Sequence, residues 1–224
     1  MSAPTATPGA AQRCLVAIDA WRDEFEDAQL LLWQADLGAG YYTVGGSSLS
    51  LGTEGLRDRF PLLWTQVPFP VEDYALELRF RYGTRAAYGP SIGVGTAAYD
   101  GARHSEGSSP PAGIEDVLSI HQVDGGVRIS LLGTLNWFGR APDTSWHVVR
   151  VTRDGATYGL SVDGRVVGSV SGPGTASRSI YLGSAAIHDY PAAWTLLQVD
   201  YAGLTTCAIW GRDRCFLPIL RRSP

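Results

Sequence analysis

Side chains alternate between two faces most clearly over residues 146–170, which read WHVVRVTRDGATYGLSVDGRVVGSV. One alternating run covers 147–152, a second covers 158–162, and a third begins at Val166. A period of two residues is the pattern of a β-strand with one buried face. Asp154-Gly155 and Asp163-Gly164 separate the runs, and Asp-Gly tolerates the positive φ of a type I′ turn. The segment therefore predicts three antiparallel strands joined by two tight hairpins.

The same period continues along most of the chain, and helices should be rare and short. Further strands are predicted at 30–35, 41–44, 48–51, 62–67, Tyr74–Tyr82, 91–97, 117–122, 127–132, 180–183 and 194–201. The clearest is Tyr74–Tyr82, where Leu76, Leu78 and Phe80 share one face while Glu77, Arg79 and Arg81 share the other. The pattern predicts an all-β fold.

Composition and charge narrow the class of protein. A length of 224 residues suits a single β-sandwich. The chain has no run of 18 apolar residues, so we expect no membrane span. A net charge of −4 does not provide the clustered basic face that a nucleic-acid partner would need. All 18 basic residues are arginine, a planar donor suited to carboxylates and sugar hydroxyls, although codon bias or heat adaptation would also explain this.

The two ends of the chain predict its location and its boundaries. Residues 1–13 are rich in Pro, Thr and Ala and read as a linker remnant, 14–211 as the sandwich, and 212–224 as a tail able to form an edge strand. We expect an export signal to have been removed and the protein to be secreted or held at the cell surface. In that setting two of the three cysteines should pair. Loop proximity favours Cys207 with Cys215, while Cys14 with either, or three free thiols in the cytosol, stay open.

The order of residues in the hairpin segment resembles a known superfamily. Trp146, the alternating valines, Arg-Asp-Gly, Tyr158 and the second Asp-Gly are similar to the centre of concanavalin A-like (laminin G-like) lectin/glucanase domains. The resemblance implies an antiparallel jelly-roll β-sandwich of two curved sheets, with ligands on the concave sheet. That fold carries carbohydrate-binding modules, lectins, glycosidases and lyases, so it defines architecture more closely than function.

Alternation then indicates which side chains would line the concave sheet. If the strands are neighbours, their polar positions converge on one surface able to bind sugar hydroxyls or a uronic carboxylate, and two aromatic turn residues could stack on a sugar ring. The candidates are Arg79, Arg81, Ser119, His121, Arg128 and Ser130, with Tyr88 and Trp137 as the aromatic residues. The alternative is an ordinary solvated polar face.

Catalytic signals of the superfamily are missing from this chain. Retaining glycosidases of this fold carry a motif close to Glu-x-Asp-x-x-Glu, whereas Glu115 and Asp116 are adjacent and should point to opposite faces. Ser119-Ile120-His121 only partly matches a lyase Gln-Ile-His strand. We therefore predict an extracellular carbohydrate-binding module, which binds a poly- or oligosaccharide without cleaving it. A lyase or glycosidase of the same fold, or a structural or adhesive surface domain, are the alternatives.

The resemblance also implies one structural Ca²⁺ ion. Residues 198–201 match a final strand whose aspartate supplies a carboxylate, here Asp200. Gly45 or Gly46 would add a carbonyl oxygen, and Asp23 or Glu24 would complete the site. Hard oxygen ligands of this kind suit Ca²⁺. The alternative is that Asp200 is an ordinary salt-bridge or turn residue.

Overall fold

The protein is described by a computed structural model. It covers residues 16–26, 30, 32–37, 41–53, 57–59, 61–65, 73–84, 90–97, 99, 101, 104–105, 113–173, 179–183, 186–191 and 195–208. Within these ranges the regular secondary structure is all β-strand, as the alternation predicts. No helix in them has the length and apolarity to cross a membrane.

The described residues form eighteen strands. They are β1 (Val16–Asp23), β2 (Trp33–Asp36), β3 (Tyr41–Val44), β4 (Leu49–Thr53), β5 (Arg57–Arg59), β6 (Leu62–Thr65), β7 (Tyr74–Tyr82), β8 (Ser91–Gly95), β9 (His104–Ser105), β10 (Leu118–Val123), β11 (Gly126–Leu131), β12 (Leu135–Phe138), β13 (His147–Asp154), β14 (Thr157–Val162), β15 (Arg165–Ser171), β16 (Ser179–Gly183), β17 (Ala186–Pro191) and β18 (Thr195–Ala208).

These strands form two large antiparallel sheets packed face to face, which confirms the predicted jelly-roll β-sandwich. The eight-stranded sheet has the order β15-β14-β13-β7-β18-β4-β3, with β1 also paired to β18. The seven-stranded sheet has the order β12-β11-β10-β8-β16-β6-β2. A small sheet, β5-β17-β9, contains one parallel pair. Strand β18 is long enough to pair with β4 along its first part and with β1 along its second part, so β1 is the eighth strand of this sheet.

The core lies between the two sheets and is filled by alternate residues of each strand. In β7 every second residue from Tyr74 to Tyr82 is buried, and the residues between them are partly exposed. Leu118, Ile120 and Ile129 fill the core from the other sheet. Full burial of each such side chain contributes about 1.5–3 kcal/mol, so the alternation that predicts the strands also supplies most of the stability.

The two hairpins of the 146–170 segment differ in how they turn. Asp163 and Gly164 have φ values of 52° and 74°, the positive pair of a type I′ turn, as predicted. The other prediction is wrong by one residue, because Asp154 pairs with Thr157 and the turn is Gly155-Ala156. Gly155 alone takes a positive φ, 58°, which puts it at the first position of a type II′ turn. Its N–H donates to Asp73 Oδ1 at 2.7 Å, and this bond fixes the shifted turn.

Several predictions concern residues outside the described part of the chain. Cys14, Cys215 and Tyr88 lie there, as do the linker 1–13 and the tail 212–224. Cys207 belongs to β18, but its side chain is not described. The cysteine pairing and the domain boundaries therefore stay predictions.

Candidate functional site

The predicted ligand residues lie on two opposite surfaces of the sandwich. Arg79 and Arg81 belong to β7 in the eight-stranded sheet, whereas β10 and β11, which carry the other four, belong to the seven-stranded sheet. The prediction that all six converge is therefore wrong. Alternation shows which side of a strand is polar, but the pairing of distant strands decides which sheet that side belongs to.

The other four residues do lie together, on the outer face of the seven-stranded sheet. Ser119 is directly opposite Ser130, and His121 is opposite Arg128. Strand β12 extends both rows, with Asn136 beside Ser130 and Phe138 beside Arg128. We call this surface the saccharide face, after the ligand that the sequence predicts for it; it consists of Ser119, His121, Arg128, Ser130, Asn136 and Phe138. Ser130 is itself buried, so the accessible polar groups are mainly those of its neighbours.

An aromatic ring at the edge of this face is open to solvent, but it is not the one predicted. Phe138 is 66% exposed. The Arg128 guanidinium carbon lies 5.9 Å from the centre of its ring, and Arg128 donates to Asn136 Oδ1 at 3.3 and 3.4 Å. Trp137 instead packs on the core side, 5.2 Å from the ring of His147. Of the two rings, Phe138 is therefore the one that is open to solvent on this face.

The two acidic residues beside this face have different partners. Glu115 contacts His121, with Oε2 3.4 Å from Nε2. Asp116 accepts hydrogen bonds from the Thr96 N–H at 2.9 Å and the Thr96 hydroxyl at 2.5 Å. Glu115 therefore borders the polar row of the face, whereas Asp116 binds the residue that follows β8.

A buried aromatic cluster covers the same face farther along the sheet. Tyr99 lies 5.8 Å from Trp64 and 5.5 Å from Tyr181, measured between ring centres. Tyr181 lies over Gly93, where an added Cβ would be 2.2 Å from its Cε1 atom. Its hydroxyl is buried and has no hydrogen-bond partner among the residues that the structure describes. Sequence reasoning missed this residue because every position of β16 is buried, so the strand resembles an ordinary core strand.

The outer face of the eight-stranded sheet is a network of arginines that already have partners. Arg79 Nη1 donates to Asp200 Oδ2 at 2.7 Å, and Arg81 Nε donates to Gln198 Oε1 at 2.8 Å. Both guanidinium carbons also lie over the Trp146 ring, at 4.9 and 4.7 Å from its centre. These two side chains therefore hold Trp146 against the sheet.

A second group on this face is centred on Glu77. Its Oε1 atom accepts from the Tyr201 hydroxyl at 2.9 Å, and Oε2 accepts from Arg150 Nη1 at 3.3 Å. The Arg22 guanidinium carbon lies 4.2 Å from the centre of the Tyr201 ring. Burial is the largest cause that raises the pKa of Tyr201, to about 12. The hydrogen bond to Glu77 and the negative charge of Glu77 act in the same direction. Tyr201 is therefore a neutral donor under ordinary conditions.

The three carboxylates expected to bind calcium have partners within the protein. Asp200 pairs with Arg79 as above, and Glu24 Oε1 accepts from Arg22 Nε at 2.8 Å. Asp23 uses both oxygens, one for the Phe25 N–H at 2.9 Å and one for Trp33 Nε1 at 2.8 Å.

Gly45 and Gly46 lie in the turn between β3 and β4, where the Gly45 carbonyl is 3.4 Å from the Ser48 hydroxyl. Across the described ranges, no three His, Cys, Asp or Glu side chains cluster as a metal site would require. As arranged, the donors do not fit Ca²⁺, which takes six to eight oxygen ligands. Calcium binding at this position would require Asp200 to leave Arg79.

His147 is the centre of a largely buried polar cluster beside Trp137. Its Nε2 lies 3.1 Å from Asp143 Oδ2 and its Nδ1 lies 2.9 Å from Asp163 Oδ2. The imidazole thus lies between two carboxylates. The cluster ties the loop before β13 to the turn after β14.

Comparisons with known proteins give the fold but no close relative. No family model and no curated protein matches the sequence. Among solved structures, the laminarinase catalytic domain from Thermotoga maritima MSB8 has a TM-score of 0.60 at 12% identity, covering 86% of this chain and 99% of that one. The CBM2 module of Lactobacillus casei BL23 phage J-1 evolved Dit has a TM-score of 0.57 at 11% identity, covering 86% and 97%. The kappa-carrageenase from Pseudoalteromonas carrageenovora has a TM-score of 0.56 at 13% identity, covering 91% and 100%.

At these identities the likeness shows the fold alone. It is consistent with the concanavalin A-like resemblance of the hairpin segment. The chain therefore has the β-sandwich fold found in carbohydrate-binding modules and glycan-acting enzymes.

Proposed function

We propose that this domain is an extracellular or surface module that binds a poly- or oligosaccharide on the saccharide face without cleaving it. The observation that carries the proposal is the open Phe138 ring at the end of a row of polar side chains. Sugars present apolar C–H faces that pack on aromatic rings, and their hydroxyls need donors and acceptors nearby. Phe138 supplies the ring, and Arg128 and Asn136 supply the polar groups.

Electrostatics support the same surface. Arg128 is exposed and its partner within the face is the neutral Asn136, so its positive charge is not cancelled by that contact. His121 and Glu115 add a donor and an acceptor one strand away. This combination suits neutral sugar hydroxyls and also tolerates an acidic substituent.

The test is a glycan array of neutral and acidic polysaccharides, followed by titration calorimetry with the best ligand. We expect Phe138→Ala to weaken binding about tenfold or more, on the scale of a lost aromatic contact. Val166→Ala is the matched control, because Val166 is 84% exposed on the other sheet. Both variants should melt like the parent. An array without binding, or full affinity in Phe138→Ala, would count against the proposal.

A further inference from the structure

A small cavity on the outer face of the eight-stranded sheet lies opposite the saccharide face. Its volume is about 210 Å³, and it is lined by Arg22, Ala75, Glu77, Arg150, Gly203 and Thr205. Pockets for drug-sized ligands start at about 300 Å³. This cavity therefore suits a ligand of a single ring.

The register of four strands builds this cavity. Arg150 on β13 is opposite Glu77 on β7, Glu77 is opposite Gly203 on β18, and Gly203 is opposite Arg22 on β1. Three strand spacings of about 4.8 Å separate the two arginine Cα atoms by roughly 14 Å. One row of the sheet thus carries a guanidinium at each end and a carboxylate between them.

Small residues leave the space open. Gly203 contributes no side chain to the middle of the row, and Ala75 contributes only a methyl group to the next row. A Cβ at Gly203 would lie 3.4 Å from Arg22 Cγ, an ordinary contact distance. The position can therefore hold a side chain, and the gap is a property of the sequence.

The polar groups around the gap keep unused hydrogen-bonding capacity. Arg22 donates through Nε to Glu24, and Arg150 donates through one Nη1 contact to Glu77. A guanidinium has five N–H donors, so both can serve a ligand as well. Glu77 accepts two hydrogen bonds of the roughly four that a carboxylate can take, and the Tyr201 hydroxyl fixes its orientation.

We infer that this row is a second sugar site, which binds a uronate residue through an arginine at its carboxylate and through Glu77 at its hydroxyls. The inference deepens the proposed function and rests on it, since it names an acidic sugar as one ligand of the module. Guanidinium groups match carboxylates with paired hydrogen bonds. Glu77 selects for a ligand that also carries hydroxyl donors, so inorganic sulfate should bind poorly.

The experiment is NMR titration of the whole chain with sodium glucuronate, and with glucose and sodium sulfate as probes. A dissociation constant on the order of 1 mM is expected for glucuronate, as for a ligand of about 13 heavy atoms. Both comparison probes should bind at least tenfold more weakly. Arg150→Gln and Gly203→Val should each weaken glucuronate binding at least tenfold, the second by filling the gap while keeping both arginines. Melting temperatures check that both variants fold.

Two results would overturn the inference. One is that glucuronate causes no NMR shifts, and the other is that the Gly203→Val variant melts like the parent and binds glucuronate with unchanged affinity. Arg165→Gln, which changes an exposed arginine on β15, is the control and should keep full glucuronate affinity. Phe138→Ala separates the two proposals. Loss of polysaccharide binding in Phe138→Ala, with glucuronate binding intact, supports the uronate site. Polysaccharide binding that is lost in Phe138→Ala, in a protein that shows no shifts with glucuronate, keeps the saccharide face and removes the uronate site.

Discussion

Replacing His147 by leucine tests the buried cluster most directly. The side chains of His147 and Asp143 are 7% and 10% exposed, whereas that of Asp163 is 43% exposed. The variant leaves the buried Asp143 carboxylate without its hydrogen bond to the imidazole, and an unsatisfied buried polar group costs about 1–3 kcal/mol, more when it is charged. Asp143 keeps the Ser145 N–H at 3.1 Å, so a cost of about 3 kcal/mol is expected.

The same geometry predicts how the variants of this cluster rank by their loss in free energy of unfolding. Asp163→Asn removes only a half-exposed contact and keeps a residue that tolerates the turn, so it should cost at most about 1 kcal/mol. Removing both members of the buried pair, in His147→Leu with Asp143→Leu, should restore part of the loss, since no orphan charge remains.

Urea unfolding followed by circular dichroism measures these differences as shifts in the midpoint at constant slope. A cost below about 1 kcal/mol for His147→Leu, or a double variant less stable than the sum of the single variants, would refute the reasoning.

Three further predictions follow from particular contacts. Because its pKa is raised to about 12 in the folded protein, Tyr201 loses its proton first in the unfolded chain, at a pKa of about 10. Stability should therefore be complete below pH 10 and fall as the pH rises towards 12, and unfolding of Tyr201→Phe at graded pH should show a shallower decline. Gly93→Ala should cost about 1–3 kcal/mol, because its Cβ would overlap the Tyr181 ring, and a melt equal to the parent would show that the ring moves freely. EDTA should leave the melting temperature unchanged, because the carboxylates expected to bind calcium already have protein partners; a drop reversed by added Ca²⁺ would show instead that Asp200 exchanges Arg79 for the ion.

Local features of this protein were predictable from sequence, whereas the assembly of its surfaces was not. The faces of β7 and the type I′ turn at Asp163-Gly164 depend on neighbouring residues, and the structure confirms both. The grouping of Arg79 with His121 fails because it depends on which distant strands share a sheet. Local alternation carries no information on that pairing.

The site itself was predictable only in part. Ser119, His121 and Arg128 were identified by alternation, and their common face is found in the structure. The position of the Tyr181 ring over the sheet depends on Gly93, a residue from a different strand 88 positions earlier in the sequence. No local pattern marks such a contact.

The pairing of β1 with β18 has a mechanical consequence. Val16 is opposite Ala208, so the start of one strand and the end of the other meet at the same end of the sheet. A force applied through these two points would break the hydrogen bonds between the strands one after another, so the strands would separate at low force. A polypeptide that passes through this module would also enter and leave at neighbouring points, so the sandwich would project sideways and add almost nothing to the reach of the chain.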